Sequence, residues 1–194
     1  MNKLLFISFY TEGYYEKIKD KYLLPSLEKF ELSYKIYPFL NSHDWLKNGK
    51  YKTQIILDTL KSTQDDIVYL DVDAQIIKTP ELFNRIPENC NLGVHVLDWY
   101  KFWHNKEGLP KREVIGGTLY FRNNSETIKF VEEWNRLNQE SLEWGQRILQ
   151  KLLPKIQYYT LPFEYCRILK LGEEIPDNAI IVQHQASRQG KKKL

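Results

Sequence analysis

The sequence predicts an α/β fold, in one domain with a mostly parallel central sheet flanked by helices. Apolar runs of strand length alternate with amphipathic helical stretches through the first half of the chain, and parallel strands need such crossover helices between them. With 194 residues, 42% of them hydrophobic, the chain is long enough to bury one core. No internal repeat divides it, so we expect one domain over residues 1–186 and a basic tail at 187–194.

The first half has the predicted order strand, helix, strand, helix, strand. Continuous apolar runs predict strands buried on both faces. We expect the first helix to break before Pro25, because proline lacks an N–H and disfavours a helical residue before it. Ser42 is the expected N-cap of the second helix. The predicted strands are 3–10, 32–39 and 66–72, and the predicted helices are 13–30 and 42–62.

The second half mixes shorter elements with one long loop. Thr79 as N-cap and Pro80 at the first helical position predict a short helix over 79–86. Residues 98–113 have no clean period and predict a loop, whereas Ser125 is the expected cap of an amphipathic helix. The other predictions are strands at 91–97, 114–123, 156–162 and 179–184, and helices at 125–139 and 144–154.

Charge and cysteine content exclude several classes of protein. The net charge is +3, but four basic residues lie in the last seven positions (Arg188, Lys191, Lys192 and Lys193). The rest of the chain is nearly neutral, which argues against a broad nucleic-acid surface. Cys90 and Cys166 have no metal-ligand spacing and are expected to be free thiols. Without a membrane-length apolar run or a signal-peptide pattern, the expected location is cytoplasmic.

The segment YLDVDAQI, residues 69–76, places Asp71 and Asp73 directly behind a predicted buried strand. Ligands bind outside the carboxyl ends of strands in open α/β sheets, and two carboxylates spaced i, i+2 can turn their oxygens toward one divalent cation. Aspartate at a strand end is also common turn chemistry. The tripeptide alone leaves both interpretations open.

The wider segment DDIVYLDVDAQIIKTPELF resembles the DxD segment of GT-A-fold glycosyltransferases, especially the LgtC/glycogenin-like nucleotide-sugar transferases. Other segments are similar to pieces of that fold and follow in the same order. They are LLFISFYTEGYYEK (first strand and base-binding loop), KYKTQIILDTL (helix with a basic residue), VIGGTLYFRNN (sugar-pocket strand), WGQRILQKLL (Asp-Gln helix) and IVQHQASRQGKK (late strand with a metal-binding histidine). The resemblance implies a single Rossmann-like GT-A domain.

The same resemblance implies a metal-dependent, hexosyltransferase-type enzyme that retains the anomeric configuration. It would move a sugar from a nucleotide diphosphate, UDP-linked, to a hydroxyl of a glycan, protein or small molecule. Mn²⁺ or Mg²⁺ would be bound by Asp71, Asp73 and His184, and an imidazole ligand favours Mn²⁺. The implied donor-binding residues are Phe9, Tyr10, Thr11, Tyr15, Lys52, Asp71, Val72, Gly116, Gly117 and Arg188.

Three further side chains are candidates near the reacting centre. Asp98 ends a predicted strand and could bind a sugar hydroxyl, while Glu143 and Gln146 stand at a helix start that could face the anomeric carbon. Most of these candidates also have a structural interpretation: the aromatic residues as core, the glycine pair as a β-bulge and Glu143 as a partner of the helix dipole. Trp99, Trp103 and His104 are either an acceptor platform or a packed loop.

Two other functions remain open. The family's Asp-Gln pair is Gly145–Gln146 in this chain, a departure that is compatible with a non-catalytic nucleotide- or glycan-binding module on the same fold. A sugar nucleotidyltransferase is the other alternative. Such an enzyme would need a glycine-rich loop after the first strand, where FYTEGYYEK offers one glycine.

Overall fold

A six-stranded sheet forms the centre of the molecule in the computed structural model, which describes residues 3–108 and 111–190, with side chains in the final helix through Arg188. The strands lie in the spatial order β2-β1-β3-β6-β5-β7, and β6 alone runs antiparallel to the rest. Their bounds are β1 Leu4–Thr11, β2 Tyr34–Phe39, β3 Asp66–Leu70, β5 Leu92–Asp98, β6 Arg112–Phe121 and β7 Tyr158–Thr160. The predicted fold class is confirmed.

Helices cover both faces of this sheet. Because side chains alternate along a strand, Ile67 and Tyr69 of β3 pack on one face, while Val68 and Leu70 pack on the other. Burial on both faces explains why the sequence of β3 is a continuous apolar run. The helices are α1 Tyr14–Ile18, α2 Leu24–Lys29, α3 Trp45–Ser62, α4 Trp99–His104, α5 Ser125–Glu140, α6 Gly145–Leu152 and α7 Ala186–Gly190.

A second, three-stranded sheet lies beside the carboxyl end of β3. It has the order β4-β9-β8, formed by β4 Ala74–Ile76, β9 Ile181–Gln183 and β8 Arg167–Ile168. β4 follows Asp73 at once and pairs antiparallel with β9. This pairing brings the end of the chain back to the aspartate segment.

Pro25 does not break the first helical stretch, contrary to the prediction. A π-helical turn, Lys19–Leu23, joins α1 to α2, and Pro25 stands within the first two positions of α2. A proline ring clashes with the carbonyl four residues earlier in a regular α-helix. The wider π turn lies where that clash would fall, so the stretch continues to Lys29.

Several capping and loop predictions were wrong. Asp44, not Ser42, caps α3 by accepting hydrogen bonds from Leu46 N and Lys47 N, and Asn124, not Ser125, caps α5. The residues 79–86 contain only a 3₁₀ turn, Glu81–Arg85, which follows Pro80. The predicted loop 98–113 contains α4, because the Asp98 side chain accepts a hydrogen bond from Lys101 N and caps it.

No helix in the described ranges combines the length and apolarity needed to cross a bilayer. Cys90 and Cys166 are free thiols, as expected. The division into a domain and a tail remains a prediction. Residues 187–190 continue α7, and residues 191–194 lie outside the described part of the chain.

Candidate functional site

A cavity of 220 Å³ opens where β1 and β3 end. One face of α3 and the start of α6 form its other walls. Ten of the predicted site residues line it: Phe9, Tyr10, Thr11, Tyr15, Lys52, Asp71, Val72, Asp73, Gly116 and Gln146. The sheet edge explains this gathering, because the carboxyl ends of neighbouring parallel strands present their following residues to the same space.

Asp71 and Asp73 line this cavity, and different backbone contacts hold each of them in place. Asp71 N donates to Gly117 O at 2.9 Å, which extends the pairing of β3 with β6 by one residue. Asp73 accepts the backbone N–H of His184 on its carbonyl at 3.0 Å and that of Ala186 on Oδ2 at 2.7 Å. The main chain is therefore fixed on both sides of the pair.

Lys52 reaches the cavity from the middle of α3. Its Nζ lies 2.8 Å from Asp71 Oδ1 and donates to Gly116 O at 3.0 Å, and it also lies 4.7 Å from the centre of the Tyr69 ring. Tyr69 donates its hydroxyl to the same Asp71 oxygen at 2.8 Å. These contacts hold one oxygen of Asp71 in place and put the Lys52 ammonium between the Asp71 carboxylate and β6.

The cavity concentrates negative charge. Burial raises the pKa of Asp73, and the charge of Asp71 raises it further. Burial and then the charge of Asp73 raise the pKa of Tyr15 to about 12. The smaller part of both shifts, from the charges of Asp71 and Asp73, is the part that a bound cation would offset.

Gly116 of β6 and Gln146 of α6 line the cavity together. Gln146 Oε1 accepts Gly116 N at 3.0 Å, and its Nε2 donates to Glu113 Oε1 at 3.0 Å. Gly117 does not line the cavity. A Cβ at Gly117 would lie 2.9 Å from Cδ of the buried Gln183, so this glycine allows the two sheets to approach each other.

Four predicted site residues lie elsewhere. Asp98 caps α4, and Glu143 forms an ion pair with Lys151, N to O 2.6 Å. The His184 ring stacks on Tyr22 at 3.7 Å between centroids, and its Nε2 lies 2.8 Å from Gln75 Oε1. Arg188 lines a different cavity, described below.

Asp71, Asp73 and His184 do not form a preassembled metal centre. Within residues 3–108 and 111–190, no three His, Cys, Asp or Glu side chains are grouped to hold a cation. The donor set nevertheless suits one, because two carboxylates separated by a single residue match the oxygen ligands of Mg²⁺ and Mn²⁺. The remaining ligands would then come from elsewhere.

The sequence did not predict the part of the cavity wall that α3 forms around Lys52. Trp45, Asn48, Gly49 and Thr53 line it together with Lys52. Together with Lys52 they have the spacing i, i+3, i+4, i+7 and i+8, which is one face of a helix. The residues that share this face with Lys52 could therefore have been predicted to line the same cavity. Trp45 is 52% exposed.

Asn138 also lines the cavity, without a local sequence signal. It is buried, and its Nδ2 donates to Thr53 Oγ1 at 3.0 Å. A Cβ at Gly145 would lie 2.8 Å from Asn138 Oδ1. The Asn138 amide therefore occupies the space beside Gly145 and is compatible with glycine there.

Comparison with solved structures finds the same fold in glycosyltransferases. One match is a glycosyltransferase involved in the glycosylation of the major capsid of PBCV-1, with a TM-score of 0.68, 13% identity and 98% of both chains covered. Another is mouse xyloside xylosyltransferase 1 in its apo form, with a TM-score of 0.56, 10% identity, and 95% of this chain and 98% of that chain covered. No protein-family model and no curated protein matches the chain. At these identities the similarity establishes the fold.

Proposed function

We propose that this protein is a glycosyltransferase that moves a sugar from a nucleotide diphosphate donor, UDP-linked, to a hydroxyl acceptor. The observation that carries the proposal is the cavity at the ends of β1 and β3, which gathers Asp71, Asp73 and Lys52 beside several aromatic side chains. The shared fold supports it, since structures of glycosyltransferases match the chain over nearly its full length. A cytoplasmic setting rests on the sequence and on the two free cysteines.

The nucleotide would lie along the β1 side of the cavity. Tyr10 and Tyr15 offer aromatic faces for the base, and backbone groups of Phe9 and Thr11 stand beside them. Lys52, 20% exposed and already paired with Asp71, would offer its ammonium to the phosphates. Such charge-assisted contacts are roughly twice as strong as neutral hydrogen bonds.

The two aspartates would hold a divalent cation against the donor. When bound, Mn²⁺ or Mg²⁺ supplies positive charge that stabilises the diphosphate leaving group. Asp71 and Asp73 would provide carboxylate oxygens, and donor phosphates and water would complete the coordination. His184 remains the proposed nitrogen ligand, although its Nε2 contacts Gln75; it would bind through the other ring nitrogen or exchange that partner.

The sugar end of the cavity would lie toward α6. Gln146 is held there by Gly116 and Glu113, and Asn138 and Thr53 add hydrogen-bonding groups. Retention of the anomeric configuration is part of the proposal and follows from the sequence resemblance. The anomer of the first product, observed by NMR, tests it.

Turnover assays test the function itself. The protein is incubated with UDP- and GDP-sugars and Mn²⁺, and nucleotide release is measured. We expect release from at least one donor, with a loss of 100-fold or more, roughly the contribution of one electrostatic stabiliser, in Asp73→Asn. Asp58→Asn on α3 is the control, because that carboxylate is exposed and bonded to Gln54. No release from any donor would contradict the proposal.

A binding module on the same fold is the second candidate, and the surroundings of Gly145 favour it. The buried Asn138 amide fills the space that a side chain at position 145 would need, so the cavity has an amide where the resembling family has a carboxylate. Tight binding of UDP and Mn²⁺, with no hydrolysis or transfer from any donor, would select this candidate.

A further inference from the structure

A second cavity, of 410 Å³, lies next to the first. Its walls come from α4, from the loop after β8 and from the segment that joins β9 to α7. The side chains that characterise it are Trp103, Lys170, Glu173, His184, Gln185 and Arg188. Of these residues, the proposed donor and cation roles use His184, and the sequence resemblance also assigned Arg188 to the donor.

The second cavity combines an indole with two cations. The Arg188 guanidinium lies 4.3 Å from the centre of the Trp103 ring, and Lys170 Nζ lies 4.9 Å from that of Phe102. Both basic residues are exposed, and among the described residues neither forms an ion pair with a carboxylate.

Glu173, the acidic residue of the cavity, is already neutralised. It pairs with Arg167 and accepts Lys170 N at 2.8 Å. These contacts also close the loop 170–173. The charge offered to a ligand is therefore positive, beside an aromatic face and the apolar side chains of Leu169 and Leu171.

One short segment borders both cavities. Ser187 lines the first and Arg188 lines the second, while Ala186 N donates to Asp73 at the base of the first. Gln185 adopts a left-handed conformation, φ 52°, and donates its side-chain amide to Leu169 O. This conformation is uncommon for a residue other than glycine, and here it occurs in the segment that borders both cavities.

We infer that the second cavity binds the acceptor, and that this acceptor is an anionic saccharide carrying a carboxylate or a phosphate. The inference rests on the proposed function, which requires an acceptor beside the donor. The first cavity is the one proposed for the donor, so the acceptor is placed in the neighbouring one. Trp103 stacks on the sugar ring, and Arg188 and Lys170 bind its anionic group.

Titrations of the full chain with glucuronate, glucose 6-phosphate, glucose and inorganic phosphate test the inference, followed by NMR with UDP and Mn²⁺ present. We expect one or both acidic sugars to bind more tightly than glucose and than phosphate. The two acidic sugars distinguish a carboxylate from a phosphate. Arg188→Gln and Lys170→Gln should each weaken that binding about tenfold, and Lys170→Gln should leave UDP affinity unchanged.

Lys111→Gln is the matched control, because Lys111 lies 3.6 Å from the centre of the Trp99 ring outside both cavities. Equal binding of glucose and the acidic sugars would overturn the inference, as would an Arg188→Gln protein that loses UDP affinity but keeps the sugar. Failure of UDP to bind, with acidic sugars still bound through Arg188, would instead overturn the proposed function and leave a saccharide site.

Discussion

Lys52 is the residue on which the donor site depends most visibly. It connects three parts of the cavity: the Asp71 carboxylate, the Gly116 carbonyl and the Tyr69 ring. An ammonium that is mostly buried among such groups is oriented before any ligand arrives. It therefore loses little side-chain entropy on binding phosphate.

Replacing Lys52 tests this role. Lys52→Gln should weaken UDP binding about tenfold, because a charge-assisted contact to phosphate becomes a neutral one and Asp71 loses its partner. Isothermal titration calorimetry measures the change. Lys61→Gln is the control on the same helix, since Lys61 pairs with Glu132 at the surface. Equal UDP affinity in the Lys52 variant and the wild type would remove Lys52 from the site.

At the scale of elements, the contact between the two sheets positions Asp73. Gln183 of β9, in the second sheet, donates to Gly117 O and Thr118 Oγ1 of the central sheet, both at 3.1 Å. β9 in turn pairs with β4, directly after Asp73. The glycine at position 117 thus serves sheet packing, whereas Gly116 lines the cavity.

Two glycine substitutions with opposite expected signs test that assignment. Gly117→Ala should lower the free energy of unfolding by about 1–3 kcal/mol, because its Cβ would overlap the Gln183 side chain. Gly49→Ala, inside α3 with no atom within 4 Å of its added Cβ, should raise it by about 0.5–1 kcal/mol. Urea unfolding measures both. A neutral Gly117→Ala would show that the sheets tolerate a larger separation.

The sequence predicted strands better than it predicted caps and short helices. Apolar runs such as that of β3 reflect burial alone, so the sequence is enough to predict them. The N-caps were misassigned because Ser42 and Asp44, or Asn124 and Ser125, are equivalent capping types a residue or two apart. α4 was missed because none of its residues is buried, and a surface helix of six residues has no hydrophobic period to detect.

For the whole molecule, topology decides which predicted site residues meet. The lengths and order of the strands bring residues 9–11, 15, 52, 71–73, 116 and 146 to one sheet edge. Asn138 and Trp144 join them only through the packing of α5 and α6, which no local motif encodes. His184 approaches Asp73 through its backbone, but its side chain contacts Gln75. Tertiary contacts set this side-chain direction, and the sequence does not show it.

Cation-dependent binding of UDP tests the central proposal most directly. UDP is titrated into the wild-type protein with and without Mn²⁺, and into Asp73→Asn and Asp58→Asn with Mn²⁺, by calorimetry. The account predicts that Mn²⁺ strengthens UDP binding at least tenfold, about 1.4 kcal/mol, in the wild type and in Asp58→Asn, and that Asp73→Asn loses the gain. UDP binding of equal strength with and without Mn²⁺, or an unchanged gain in Asp73→Asn, would contradict it.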